Sequence, residues 1–170
     1  MYLPDFLKEP WMKRITIRPT QTEEIPAILE IILETYKPIT ALLGRTPGAL
    51  DETESSLKQR MDNNELYTVL FDQEVIGTFT ISYNQAHQLM EVRRVAICSE
   101  KQNRGIGSYI MLSAEHLVRL MGEKRLMIET YEDHQQLMDF YLHRGYKVFK
   151  KRVNRGNVIL LMEKSLWRED

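Results

Sequence analysis

Between Leu89 and Met121 the hydrophobic period of the chain changes within a single turn, and no other stretch constrains the fold as much. Residues 89 to 98, Leu-Met-Glu-Val-Arg-Arg-Val-Ala-Ile-Cys, carry the Val and Ile of a strand, whereas Ile106, Ile110, Ala114, Leu117 and Met121 lie on one helical stripe. The junction, Ile97-Cys98-Ser99-Glu100-Lys101-Gln102-Asn103-Arg104-Gly105-Ile106-Gly107-Ser108, puts Gly105 and Gly107 at the helix start. Glycines there allow positive φ and close approach of a bulky anion, which the free N–H groups of the first turn and the helix dipole then face. Strand, glycine turn and helix in that order predict a pyrophosphate cradle within an α/β fold.

A dinucleotide fingerprint needs a third glycine where Ile110 stands, and a P-loop needs Gly-Lys-Ser/Thr where this turn continues Gly-Ser-Tyr. The Gln-x-x-Gly-x-Gly of Gln102 to Gly107 instead resembles the acyl-CoA signature of the GNAT superfamily of N-acetyltransferases. About forty residues on, Phe140-Tyr141-Leu142-His143-Arg144-Gly145-Tyr146 is similar to the second hallmark, Phe-Tyr-x-x-x-Gly-Phe/Tyr. The resemblance covers roughly residues 14 to 166 in element order, with its specific motifs between 95 and 146. It implies a mixed, mostly antiparallel central β-sheet flanked by helices on both faces, with a splayed strand pair holding acyl-CoA. It also implies acetyl-CoA as acyl donor and a primary amine as acceptor, joined by direct attack in a ternary complex.

The 170 residues, 43% of them hydrophobic, suit a single domain with an adequate core. We expect an N-terminal extension over 1–13 and one N-acetyltransferase domain over 14–170. Prolines and charges interrupt the first eleven residues, so they read as neither signal peptide nor membrane span, and Phe6 and Trp11 are candidates to dock on the domain or on a second subunit. A formal charge of -1, from 23 basic and 24 acidic residues, gives no reason to expect nucleic acid or an anionic membrane as partner. One cysteine, Cys98, excludes an internal disulfide, and four scattered histidines suggest no metal site, so a cytoplasmic location is expected.

Along the chain, Ile15 to Arg18 alternates as a strand, and Thr20 to Glu24 caps a helix with the stripe Ile25, Ile28, Leu29, Ile32, expected to end near Pro38. A second helix is predicted from about Asp51 to Met61. Leu66 to Phe71 and Val75 to Tyr83 read as a hairpin around Asp72-Gln73-Glu74. Gly122 stops the signature helix, Arg125 to Tyr131 reads as a strand, His134 to His143 as a helix, and Tyr146 to Val153 with Val158 to Met162 as closing strands.

For the site, the resemblance implies that backbone amides of Gln102, Asn103, Arg104, Gly105, Ile106, Gly107 and Ser108 hold the pyrophosphate. The main chain of Val95, Ala96 and Ile97 would pair with the pantetheine arm, where the strand of Ile97 parts from that of Ile128. Tyr141 matches the superfamily's general acid: a phenol with pKa near ~10 is protonated at neutral pH and can serve a departing thiolate, an effect worth ~10²–10⁴ in rate. Its alternative is a core aromatic. Glu91, on the strand before the cradle, is the candidate base; the alternatives are a structural pair with Arg93, Glu129 as base, or a water chain. The charged group Glu91, Arg93, Arg94 in an otherwise central strand is expected only where the strand lines a wet cleft.

His134 stands where an asparagine often touches the pantetheine, and reads either as a cofactor contact or as a helix cap; Leu137 replaces a common alanine and reads as pocket wall or core. Glu115 and Arg119 read as a solvated helix pair, and the run Lys147, Lys150, Lys151, Arg152, Arg155 as the charged face of exposed strands. A small-molecule amine is the expected acceptor, shaped by the segment from Tyr36 to Met61 and the hairpin near Tyr83 to Gln88. Exposed strand edges make a homodimer an expectation. The rival from another class is a catalytically silent acyl-CoA-binding sensor or interaction module, which retention of Tyr141 disfavours.

Overall fold

The computed structural model describes residues 9–167. A short 3-10 segment, Pro10–Arg14, leads into β1 (Ile15–Pro19), α1 (Ile25–Leu43), α2 (Glu54–Asp62), β2 (Leu66–Phe71), β3 (Glu74–Asn84), β4 (Leu89–Ile97), α3 (Ile106–Leu120), β5 (Arg125–Tyr131), α4 (Gln135–His143), β6 (Lys147–Asn154) and β7 (Asn157–Ser165). The strands form one seven-stranded sheet in the order β1-β2-β3-β4-β5-β7-β6, in which only β4 and β5 run parallel. Helices cover both faces, as expected. Ile25, Ile28, Ile31 and Ile32 of α1 and Leu57 of α2 bury against Leu66 and Ala96, while Ile110, Met111, Ala114 and Val118 of α3 bury against Phe79, Val92 and Ile128. Each such side chain contributes about 1.5–3 kcal/mol by leaving water, and this two-sided core makes the sheet a rigid platform.

Two expectations about the helices needed correction. The first helix does not end near Pro38 but carries it inside and stops at Gly44, whose φ of 65° supplies the left-handed cap. Proline removes one ladder hydrogen bond, yet the helix continues past it, and Ile39 borders the cleft described below. The second helix begins at Glu54 rather than Asp51, because Thr53 and Ser56 form a capping box; Gly48–Asp51 is a separate 3-10 turn. The β2–β3 hairpin turns on Asp72 and Gln73, both at positive φ.

The part of the sheet that makes a site is its centre. β4 and β5 are registered only at Met90↔Leu126 and Glu91↔Met127, after which they part. On its other side β4 stays paired with β3, but with one extra residue: Thr78 pairs with Ala96 and Thr80 with Arg93. That β-bulge bends β4 away from β5. Arg94 sits in it at φ 52°, a left-handed conformation that costs a side chain about 1–2 kcal/mol. Its guanidinium is held by buried Glu52, Nε to Oε1 at 2.9 Å, and Arg60 binds the same oxygen at 2.6 Å.

The segment before β1 is tied to the cradle side. Trp11 stands edge-on to Tyr109 at 6.0 Å, and the Phe71 ring lies under both Arg14 and Lys101, at 4.2 and 4.4 Å. Phe6 falls outside the described residues. Among them no helix is long and apolar enough to cross a membrane.

Glu115 and Arg119 are not a solvated pair. Glu115 is 1% exposed and binds Lys164 Nζ at 2.9 and 3.0 Å and the Tyr146 hydroxyl at 3.1 Å, because the α3 face that carries it packs against β7. Breaking such a pair leaves Lys164 and Tyr146 without their partner, so Glu115→Ala is expected to lower the free energy of unfolding in urea by about 3 kcal/mol. The bulge gives a second expectation. Arg94→Ala and Arg94→Gly both lose the Glu52 contact, but only glycine is at ease at positive φ, so the glycine variant should unfold at higher urea, more stable by about 1 kcal/mol, against the usual order within a strand.

Candidate active site

Beyond Glu91, β4 presents a strand edge to the gap that β5 vacates. Cys98 N–H donates to Ile76 O at 2.8 Å and Ala96 pairs with Thr78, so antiparallel alternation turns the peptide groups of Ala96 to β3 and those of Val95 and Ile97 to the gap. Of the trio read from the sequence, Val95 and Ile97 therefore have main chain facing the opening, whereas that of Ala96 is taken up by β3. Side chains meet the exposed carbonyls: the Tyr36 hydroxyl donates to Val95 O at 3.1 Å, Thr35 Oγ1 to Ile97 O at 3.2 Å, and Gln102 Nε2 to Ile97 O at 2.8 Å.

The gap opens into a cleft of about 510 Å³ floored by Gln102, Asn103, Gly105, Gly107 and Ser108 and walled by Met111, Leu137, Phe140 and Tyr141. Asn103 and Gly105 take φ of 58° and 84°, and this left-handed pair folds the turn into a concave run of amides. Gly105 caps α3 with no side-chain bond, which leaves the first-turn N–H groups and the positive end of the helix dipole directed outward. A Cβ on Gly107 would meet Ile97 Cδ1 at 3.6 Å, so the turn rests closely on β4. Arg104 and Ile106 belong to the turn but do not line the cleft: Arg104 is exposed and Ile106 is 2% exposed in the core.

On the α1 side of the sheet a second cavity, about 100 Å³, is bounded by Glu91, Arg93, Arg94 and Glu129 with Ile39, Pro47, Tyr131 and Ile159. The charged group in β4 thus lines a cleft. Tyr36, Val95, Leu137 and Tyr141 border both spaces, which meet there. Tyr141 is 7% exposed, edge-on to Phe140 at 5.2 Å and Tyr146 at 5.6 Å. Its hydroxyl bonds to none of the described residues and is not sealed in the core, so it opens to the clefts its ring borders. Burial, and secondarily the neighbouring Tyr36, push its pKa above the usual phenol value. Burial likewise pushes Tyr36 up to about 12. Both stay protonated across the physiological range.

Glu91 is 4% exposed. Burial raises its pKa above the ordinary carboxylate value, opposed by a hydrogen bond from Asn84 Nδ2 to Oε2 at 2.9 Å and by the Arg93 charge. Glu129 is instead clamped by Arg152, with Nη2 at 2.6 Å and Nε at 3.3 Å. For Glu52, burial alone would raise the pKa, but the Ser56 hydroxyl, Arg94 and Arg60 together hold it below its usual value. His134 accepts the Leu137 N–H at 3.2 Å as the cap of α4 and lines neither space, while Leu137 forms wall to both.

Sequence reasoning placed Tyr36, Glu52, Arg60 and Asn84 inside the segments expected to shape the acceptor pocket but gave none of them a role of its own. Tyr36 was findable, since it continues the stripe Ile28, Ile32 by one more turn. Nothing local marks Glu52, whose partner Arg94 is 42 residues away.

The fold occurs among solved structures. The chain is similar to paia N-acetyltransferase from Thermoplasma acidophilum in complex with coenzyme A, at 19% identity over 89% of this chain and 98% of that one, with a TM-score of 0.73. It is similar to Ard1 from Thermoplasma volcanium, at 15% identity over 91% and 99%, TM-score 0.71. It is also similar to a GNAT family acetyltransferase from Elizabethkingia anophelis with acetyl-CoA bound, at 18% identity over 89% and 98%, TM-score 0.65. At such identities the likeness is one of fold. A comparison with curated proteins finds no match. Residues 26–146, well over half of the chain, match the Acetyltransferase (GNAT) family, and the chain belongs to that family.

Proposed function

We propose that this acetyltransferase moves an acetyl group from acetyl-CoA to a primary amine of a small acceptor, by direct attack with both reactants bound. The observation that carries the reading is the meeting of two clefts at Tyr36, Val95, Leu137 and Tyr141, one floored by the glycine turn and the other holding a buried carboxylate. Acetyl-CoA is expected to fit the larger cleft, because outward amides at an uncapped helix start suit a pyrophosphate, and the gap-facing peptide groups of Val95 and Ile97 suit a pantetheine amide. When bound, it supplies an activated thioester carbonyl.

The protein's own residues then divide the proton work. Glu91, whose raised pKa makes it a better base than an exposed carboxylate, takes a proton from the incoming amine at Oε1, the oxygen that Asn84 leaves open. The pairing of Glu129 with Arg152 favours Glu91 over its rival. Tyr141 gives the proton of Oη to the departing sulfur, and the burial that raises its pKa keeps that proton in place until it is needed. The bulge at Arg94 and the Tyr36 bond to Val95 O hold β4 still while the reactants are aligned.

Isothermal titration with acetyl-CoA should give micromolar binding that Gly105→Glu abolishes, since this places a carboxylate among the amides of the cradle; absence of binding by the unaltered chain would remove the basis of the reading. In a thiol-release assay with a panel of amines, Tyr141→Phe should lower kcat about 10²-fold; unaltered turnover refutes the acid. Binding of acetyl-CoA without transfer to any amine would instead favour a silent acyl-CoA sensor. For Glu91, the acid limb of kcat/KM should lie above the usual carboxylate range, in the direction set by burial, with activity lost as pH falls and the carboxylate gains a proton. Glu91→Gln should slow the reaction about 10²-fold and remove that limb, whereas a limb unchanged in the variant belongs to the amine.

A further inference from the structure

We infer that the acceptor cleft is built for an α-amino acid with an apolar side chain, and that Arg93 holds its carboxylate; this rests on the transfer reading above. Arg93, Arg94, Glu91 and Glu129 line this cavity, and Glu52, Arg60 and Arg152 pair with them or with one another. Glu52 takes Arg60 and Arg94 at 2.6 and 2.9 Å, and Glu129 takes Arg152 at 2.6 Å. Glu91 is occupied on one oxygen by Asn84, and its other oxygen lies 4.0 Å from Arg93 Nε, beyond hydrogen-bond reach. Arg93 therefore borders the cavity with a side chain 39% exposed and no hydrogen bond to any described residue.

A planar guanidinium with free donors is matched by a carboxylate, which it can bind through two parallel bonds. Glu91 and Arg93 alternate onto one face of β4, and their charged atoms are 4.0 Å apart. A ligand answering both must carry its ammonium and carboxylate side by side, as on one α-carbon; an amine with a distant acid, or with none, answers only one. The ammonium then lies at the carboxylate that removes its proton. Ile39, Pro47 and Ile159 form an apolar part of the remaining wall, beside Arg94, Glu129, Thr130 and Tyr131, and this apolar part suits a side chain of modest size in a cavity of about 100 Å³.

The test is calorimetric titration of the full chain saturated with CoA, using L-leucine, L-leucinamide and isoamylamine, and the matching set from L-phenylalanine, beside thiol release from acetyl-CoA with the same compounds. The expected result is an amino acid bound at least about tenfold more tightly than its amide or its decarboxylated amine, the factor typical of a hydrogen-bonded charge. Arg93→Gln should reduce that ratio to about one, and Arg93→Lys should restore part of it. Acetyl-CoA titration of each variant reports whether the donor cleft persists. Equal affinities, no binding of either amino acid, or a ratio that survives Arg93→Gln overturns the carboxylate subsite, while thiol release with the plain amines leaves acetyl transfer standing. A preference abolished by Arg93→Gln without thiol release from any compound keeps the subsite and overturns the transfer reading.

Discussion

The parting of β4 from β5 after Glu91 is the constraint on which the rest of the molecule depends. Two parallel strands side by side would satisfy each other's peptide groups and leave no room for a ligand. One inserted residue prevents this. The bulge at Arg94 turns β4 aside, and the strain of its left-handed backbone is held by Glu52, itself shared with Arg60 and Ser56. A cluster on α2 and the turn before it thus holds open a cleft on the opposite edge of β4. The rigid platform on either side, with α1 and α2 on one face and α3 and α4 on the other, lets so local a device set the geometry of the whole site.

The division of charge around the smaller cavity follows from burial. Carboxylates taken from water need partners, and Glu52 and Glu129 have guanidinium groups within bonding distance. Glu91 has an amide on one oxygen and a cation held off at 4.0 Å on the other. Strong pairing lowers the basicity of a carboxylate and weak pairing in a buried place raises it. Glu52 thus holds the backbone with a carboxyl kept below its usual pKa, while burial raises that of Glu91.

What the sequence made legible was whatever is encoded over a few residues. The glycine turn, the Phe140-Tyr141 helix and the hairpin at Asp72 depend on local backbone freedom and local periodicity, and they were read with boundaries good to a few residues. Glu91 and Arg93 were suspect because charges in a central strand demand a reason. The bond of Glu115 to Lys164, the clamp of Glu52 on Arg94 and the contact of Thr35 with Ile97 join residues brought together only by the packed fold. Their spacing carries no periodicity, and a glutamate four residues from an arginine looks solvated until β7 is laid against it. Pro38 misled for a related reason: the local penalty of a proline was legible, the continuation of the helix past it was not.

The gap between β4 and β5 is also an unpaired strand edge inside a sheet, and an unpaired edge is a template for any other extended chain. Here Tyr36, Thr35 and Gln102 lay their own donors on the carbonyls of Val95 and Ile97. A carbonyl has two lone pairs: Thr35 and Gln102 take both of Ile97's and Tyr36 takes one of Val95's, which leaves room for one small, well-shaped guest at Val95 while denying the edge to a stray strand of another molecule. Three side chains from α1 and the glycine turn guard the protein against zipping onto its own copies at the very place where it must stay open.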